Sequence, residues 1–152
     1  MRIFIWHGYL LAGTGSNIFA RELARQWQGA GHDVTVFSQD PHPEQYDLGG
    51  AATVRPDVGG LLPVFVIDDY EGYRVQRVQD TTRAELDAWV AANAAAMRER
   101  LPADLVVASH VILGGPVALR RLWDGPETLP REGEIESPER WVGRVMDDVT
   151  AA

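Results

Sequence analysis

The sequence predicts an α/β domain of Rossmann-like, three-layer α/β/α type: a mostly parallel sheet with helices on both faces, and one further crossover helix at the C-terminus. Three observations carry this. Apolar or β-branched runs of strand length recur at residues 3–6, 33–38 and 105–108. Segments with helical spacing alternate with them, at 16–30 and 83–100. A glycine-rich turn joins the first strand to the first helix.

In chain order, Ile3-Phe4-Ile5-Trp6 opens as a buried strand. His7-Gly8, a short apolar loop and Gly13-Thr14-Gly15-Ser16-Asn17 follow. Ile18, Phe19, Leu23 and Trp27 then recur at helical spacing and predict an amphipathic helix over 16–30. Ser16 or Asn17 is suited to cap it, and Gly29 and Gly31 end it. The run 33–38 (DVTVFS) is the second strand, so 3–38 reads as one βαβ unit with a right-handed crossover. Residues 39–50 are polar and hold Pro41, Pro43, Gly49 and Gly50. They form a loop at the carboxyl end of the second strand, where open α/β sheets place ligands. Asp40 could stand in for the ribose-binding acid of a dinucleotide site. A turn before Pro41 is the preferred account of it.

Residues 51–55 suggest a third strand, and Gly59-Gly60 break the chain. Pro63-Val64-Phe65-Val66-Ile67 is another apolar run, and residues 74–78 alternate as a strand. The acidic group between them, Asp68-Asp69-Tyr70-Glu71, reads as an exposed turn rather than a metal site, since no His stands beside it and no Asp-x-Asp occurs. Thr82-x-x-Glu85 is a capping box. Behind it Leu86, Val90, Met97 and Leu101, with Trp89 on a neighbouring row, mark a helix to about residue 100 that Pro102 stops. The strand 105–108 ends at Ser109-His110, and Gly114-Gly115-Pro116 opens another helix with Val117, Ala118 and Leu122 on its apolar face. At Trp123 the chain turns acidic and rich in Pro and Gly. The expected organisation is a domain at 1–122, a linker at 123–136 and a terminal helix at 137–152 that packs on the same domain. Ser137-Pro138-Glu139 starts that helix, and Trp141, Val142, Val145, Met146 and Val149 form its apolar face.

Composition narrows the function. A chain of 152 residues supports one domain with a real core. Its net charge is −8 and all 14 basic residues are arginine. A general nucleic-acid surface wants a basic stripe, and none is present. There is no cysteine, which excludes a disulfide framework and a thiolate metal site. No apolar run is long enough for a membrane span and no signal peptide is evident, so the cytoplasm is the expected compartment. No metal and no resident cofactor are predicted, and nothing sets an oligomeric state.

The chemistry concentrates in the first turn. Free backbone N–H groups and the positive end of a helix dipole meet there, which suits a phosphate or another anion. A plainer account is that glycines let a helix pack close to a sheet. The loop departs from the common fingerprints. Gly13-x-Gly15 would need a third glycine where Ile18 stands, and a P-loop needs a lysine, which this chain lacks.

The stretch HGYLLAGTGSNIFARELARQWQGAGHDVTVFSQD resembles the N-terminus of family 4 glycosyltransferases, and LPVFVIDDYEGY and ADLVVASHVILGGPVALR look similar too. The match spans about 2–122, and its most specific part is the glycine loop with Asn17. The resemblance implies two Rossmann-like domains facing across a cleft, the N-terminal one binding an acceptor and the C-terminal one a nucleotide-sugar donor. It implies that His7, Gly13, Gly15, Ser16 and Asn17 line the cleft near the donor phosphates or a small-molecule or carbohydrate acceptor. It places His110 near the transferred sugar, as a tentative catalytic residue. It also makes residues 137–149 the helix that crosses back onto the N-terminal domain.

The departure from that family is as informative. Its donor site carries two glutamates separated by seven residues, and no Glu here has another eight positions on. The expectation is an acceptor half whose donor domain is missing, inactive alone, either as a naturally short homologue or as an engineered form with its last helix joined by residues 123–136. Two other readings stay open. One is a nucleotide-binding Rossmann oxidoreductase domain. The other is an engineered minimal scaffold with no activity.

Overall fold

The computed structural model describes residues 1–13, 15–64, 67 and 69–108. Among the described residues six strands and two α-helices follow one another as β1 (Arg2–Trp6), α1 (Ser16–Gly29), β2 (Asp33–Phe37), β3 (Ala52–Val54), β4 (Leu61–Val64), β5 (Arg74–Arg77), α2 (Arg83–Arg98) and β6 (Leu105–Ala108). Short 3-10 turns lie at Pro43–Gln45 and Val78–Asp80. The main sheet has the order β3-β2-β1-β6, and every pairing in it is parallel. The fold is α/β and Rossmann-like, as the alternation of strand and helix patterns predicts.

The two-residue period of a strand sends successive side chains to opposite faces. In β1 that sends Ile3 and Ile5 one way and Phe4 and Trp6 the other. Ile3, Ile5, Val34 and Val36 pack with Ala24 of α1, flanked by Leu23 and Trp27. Phe4, Trp6 and Phe37 pack with Trp89, Val90, Ala94 and Met97 of α2. Each helix therefore covers one face, which makes the three layers. Both faces of β1 are buried, so it reads as a continuous apolar run and not as an alternation.

Polar groups inside the core are satisfied in part by one residue of α2. Trp6 Nε1 donates to Asn93 Oδ1 at 3.0 Å, and Asn93 Nδ2 donates to the Trp89 carbonyl at 2.9 Å. Trp6 and Trp89 meet edge to face, with centroids 5.7 Å apart and planes at 83°. Asn93 is fully buried, and its pair of bonds fixes how the two indoles sit.

Several expectations are corrected. Ile18 and Phe19 do not face the core: they are 44% and 60% exposed, and the inward face of α1 is Asn17, Ala20 and Ala24. Small residues there let the helix lie close to the sheet, which turns the bulkier pair outward. Neither Ser16 nor Asn17 caps α1; Gly15 occupies the N-cap and no side chain bonds there. α2 ends at Arg98, and Leu101 lies beyond it, 36% exposed. Leu86 is half-buried, because the inward face is centred on Trp89, Asn93 and Met97. The capping box is present in full, with Thr82 and Glu85 bonding reciprocally. The apolar run around Pro63 forms β4 two residues earlier than its pattern suggests, and β4 pairs in parallel with β5 in a separate two-stranded sheet. The expected helix after Gly114, the linker at 123–136 and the terminal helix at 137–152 lie outside the described residues.

Candidate functional site

In the order β3-β2-β1-β6, the chain winds one way from β1 through α1 and the other way to reach β6. The strands β1 and β6 flank the switch point, the position beyond whose carboxyl ends open α/β sheets bind ligands. The loop between β1 and α1 starts there. His7 N and Gly8 N both donate to the Phe37 carbonyl, at 2.9 and 3.1 Å, so the loop leaves β1 still tied to β2. Gly8 has φ 66°, and a Cβ on it would sit 2.3 Å from Trp6 Cζ2. Only glycine fits, in space and in backbone conformation.

His7 and Asn17 hold the loop from within. The imidazole is fully buried, and its Nε2 lies 2.9 Å from the Leu10 carbonyl and 3.0 Å from Asn17 Oδ1. Both neighbours are acceptors, so Nε2 carries the hydrogen. Burial pushes the His7 pKa down, and the two hydrogen bonds pull it part of the way back. The ring is a neutral strut. Asn17 Nδ2 donates to the Ala12 carbonyl and Ser16 Oγ lies 3.4 Å from Asn17 Oδ1. Asn17 is thus the inner brace of the loop.

Asp40 holds the loop from the other side. It is 3% exposed, and its Oδ2 accepts from Leu11 N at 2.8 Å and Ala12 N at 3.3 Å. Its Oδ1 accepts from His42 N at 2.9 Å, which is the turn expected before Pro41. Both oxygens are committed, so the part of a ribose-binding acid does not fit. The amides in the first half of the loop already hold an anion, the chain's own carboxylate. Gly13, Gly15 and Ser16, all exposed, stand at the head of α1. Gly15 opens the helix at φ 59° and ψ −122°, a conformation that side chains disfavour.

The structure brings five predicted site residues together: His7, Gly13, Gly15, Ser16 and Asn17. His110 lies outside the described residues. The sequence reading missed Asp40 as a loop anchor and missed a second feature at the same edge of the sheet. Beyond β2 and β3 lies a cavity of about 240 Å³, lined in part by Gln39, Arg55 and Tyr73. A polar residue following an apolar strand, as Gln39 does, was the signal available. Among the described residues no group of three or more His, Asp or Glu is placed to hold a metal ion, and no helix is long and apolar enough to cross a membrane. No family model matches the chain, and no curated protein or solved structure matches it either.

Proposed function

We propose that the chain is the acceptor-binding half of a nucleotide-sugar-dependent glycosyltransferase, with the donor bound by a second domain. The observation that carries this reading is the braced loop of residues 7–17 at the carboxyl ends of β1 and β6. Its exposed rim residues Gly13, Gly15 and Ser16 join backbone amides to the positive end of α1, and the two glycines add no side chain to the approach of a sugar or an anion. Phe19 supports it too: 60% exposed beside that rim, it offers an apolar surface that a facing domain would cover.

In the proposed reaction the anomeric carbon–oxygen bond to the nucleotide diphosphate breaks, and a bond forms to an acceptor hydroxyl oxygen. Negative charge grows on the departing diphosphate, and the hydroxyl proton passes to that leaving group or to solvent. Amides aimed at that charge lower the barrier because they need no reorganisation as it develops. His7 does not act as acid or base here. Buried, neutral and bonded on Nε2, it positions the loop.

Amide NMR with a panel of sugars, sugar phosphates and sugar nucleotides tests the reading. Saturable shifts at Gly13 and residues 15–19 are expected with acceptor-type sugars. A panel that leaves those resonances unmoved would sink it. Tight binding of NAD(P) would replace it with the oxidoreductase reading, which the committed oxygens of Asp40 do not favour.

A further inference from the structure

The cavity beyond β2 and β3 has the makings of a site separate from the glycine loop. Gln39 follows β2 and is buried to 1% exposure. Its Nε2 donates to the Pro56 carbonyl at 3.1 Å, which joins two residues of the cavity wall. The Tyr73 hydroxyl donates to the Gln39 carbonyl at 2.6 Å, with Gln39 Oε1 3.1 Å away. Arg55, which directly follows β3, donates from Nε to the same hydroxyl at 2.9 Å and lies over the Tyr73 ring, 5.2 Å from its centroid. Burial raises the Tyr73 pKa and Arg55 lowers it in part, so the hydroxyl stays protonated and can donate inward while accepting from Arg55.

Arg55 differs from most of the described arginines. Arg2, Arg25, Arg74, Arg77 and Arg83 each face a carboxylate within salt-bridge distance. Among the described residues no carboxylate pairs with Arg55, although the chain carries a net charge of −8; Asp57, the carboxylate that also lines the cavity, is not within salt-bridge distance of it and accepts from Gly59 N at 3.1 Å. Its Nε edge is held by a phenol and its plane is held by the ring. The terminal Nη groups, with four N–H donors, make no hydrogen bond among the described residues, and Arg55 lines the cavity. A guanidinium presented that way matches an oxyanion bidentately. The cavity is smaller than the ~300–1,000 Å³ of pockets that bury drug-sized ligands, so it suits a small molecule.

We infer that the cavity formed by Gln39, Arg55 and Tyr73 is a binding site for a small molecule bearing an oxyanion, a carboxylate or a phosphate monoester, held end-on by Arg55. The inference does not rest on the glycosyltransfer reading, because it uses neither the glycine loop nor a sugar donor. Tyr73 and Gln39 are positioning residues: Gln39 holds the Tyr73 hydroxyl, and the hydroxyl holds the Arg55 guanidinium.

The test is a titration of the isotope-labelled full chain with glucuronate, with glucose 6-phosphate, and with glucose as the uncharged control, followed by backbone amides and the Arg55 Nε–H resonance. Saturable shifts confined to Gln39, residues 55–60 and Tyr73 are expected with at least one of the two acids. A Kd on the order of 1 mM suits so few contacts. The two acids separate a carboxylate site from a phosphate site. Arg55→Gln, at an exposed position, should abolish the shifts with the spectrum otherwise intact. Tyr73→Phe keeps the ring and loses the hydroxyl, so it should weaken binding several-fold. The inference is overturned if neither acid binds, if glucose binds as well as the acids do, or if the shifts survive Arg55→Gln. Shifts that appear only at residues 13–19 would also overturn it and leave the glycine-loop reading standing.

Discussion

Asp40 Oδ2 accepts the Leu11 backbone N–H at 2.8 Å across 29 residues of sequence, and it is this carboxylate that fills the amide cradle of the first loop. Asp40→Ala should leave the Leu11 and Ala12 amides without their acceptor. The expected loss is about 3 kcal/mol, because hydrogen bonds to a charged group are worth more than neutral ones and a buried donor is left unmet. A urea titration should show a lower midpoint with an unchanged slope. Added formate should recover part of the loss by entering the vacated space. If Asp40→Ala matches the parent chain, the carboxylate does not anchor the loop.

His7 sets a pH dependence. Its pKa in the folded chain lies below its ordinary value of 6.5, chiefly through burial. The unfolded chain therefore binds the proton more readily, and stability should fall as pH drops below about 6.5, levelling off once the folded form also protonates. Glu85 does not confuse the measurement. Its carboxylate is held down to about 2 by the Thr82 amide and hydroxyl and by Arg74, so its contribution is lost only between about 4.5 and 2. Denaturation midpoints between about pH 7.5 and about pH 5.5 should slope in the parent and be flatter in His7→Gln, after allowing for the lower starting stability of the variant.

Gly8→Ala should be among the most destabilising single-methyl changes in the chain. The new carbon meets the Trp6 ring at a position with φ 66°, so overpacking and backbone strain add, to about 3 kcal/mol or more. Thermal denaturation would register this as a large drop. A wild-type melting temperature would mean that Trp6 can move aside despite its bond to Asn93.

The glycine rim should respond to phosphate selectively. Leu11 and Ala12 are engaged by Asp40, whereas the first amides of a helix have no partner within it. Phosphate should shift the amides of residues 15–18 and leave Leu11 and Ala12 still, since the Phe19 amide already donates to the Gly15 carbonyl at 3.0 Å. Gly15→Val should remove the response, since its backbone conformation at φ 59° does not suit a branched side chain. Movement at Leu11 and Ala12 instead would mean that phosphate displaces Asp40.

Sugar transfer by this chain alone should not be detectable, because the paired glutamates of the donor site that the resemblance implies occur nowhere in it. A screen of common nucleotide sugars with mixed acceptors checks this. Acceptor-linked turnover above blank would contradict it.

The fold was legible where one local signal sufficed. The strands β1, β2 and β6 are apolar runs, and Thr82 with Glu85 announces α2. The misreadings came from long-range packing. Ile18 and Phe19 obey helical spacing, yet the sheet accepts the smaller Ala20 and Ala24. Asn17 has the chemistry of a cap, yet His7, ten residues earlier, takes its oxygen. The loop site was visible as glycines, but Asp40 reaches it from the loop after β2, and no local pattern reports a bond over 29 residues. The Arg55–Tyr73 pair, 18 residues apart, was hidden for the same reason.

The sheet order has a consequence for how the chain is made. β1 meets β2 early, over a separation of about 31 residues, as in the Arg2–Asp33 contact. Its other neighbour, β6, joins over 102, as in the bond from Arg2 N to Asp104. The longer closure costs only about 1 kcal/mol more in loop entropy, but during synthesis it is a matter of order. At ribosomal speed the stretch from the end of β2 to β6 takes roughly 3–14 s to emerge. Through that interval β1 has one hydrogen-bonding edge without its final partner. A nascent chain of this protein is therefore most open to mispairing, or to a chaperone, at its own first strand.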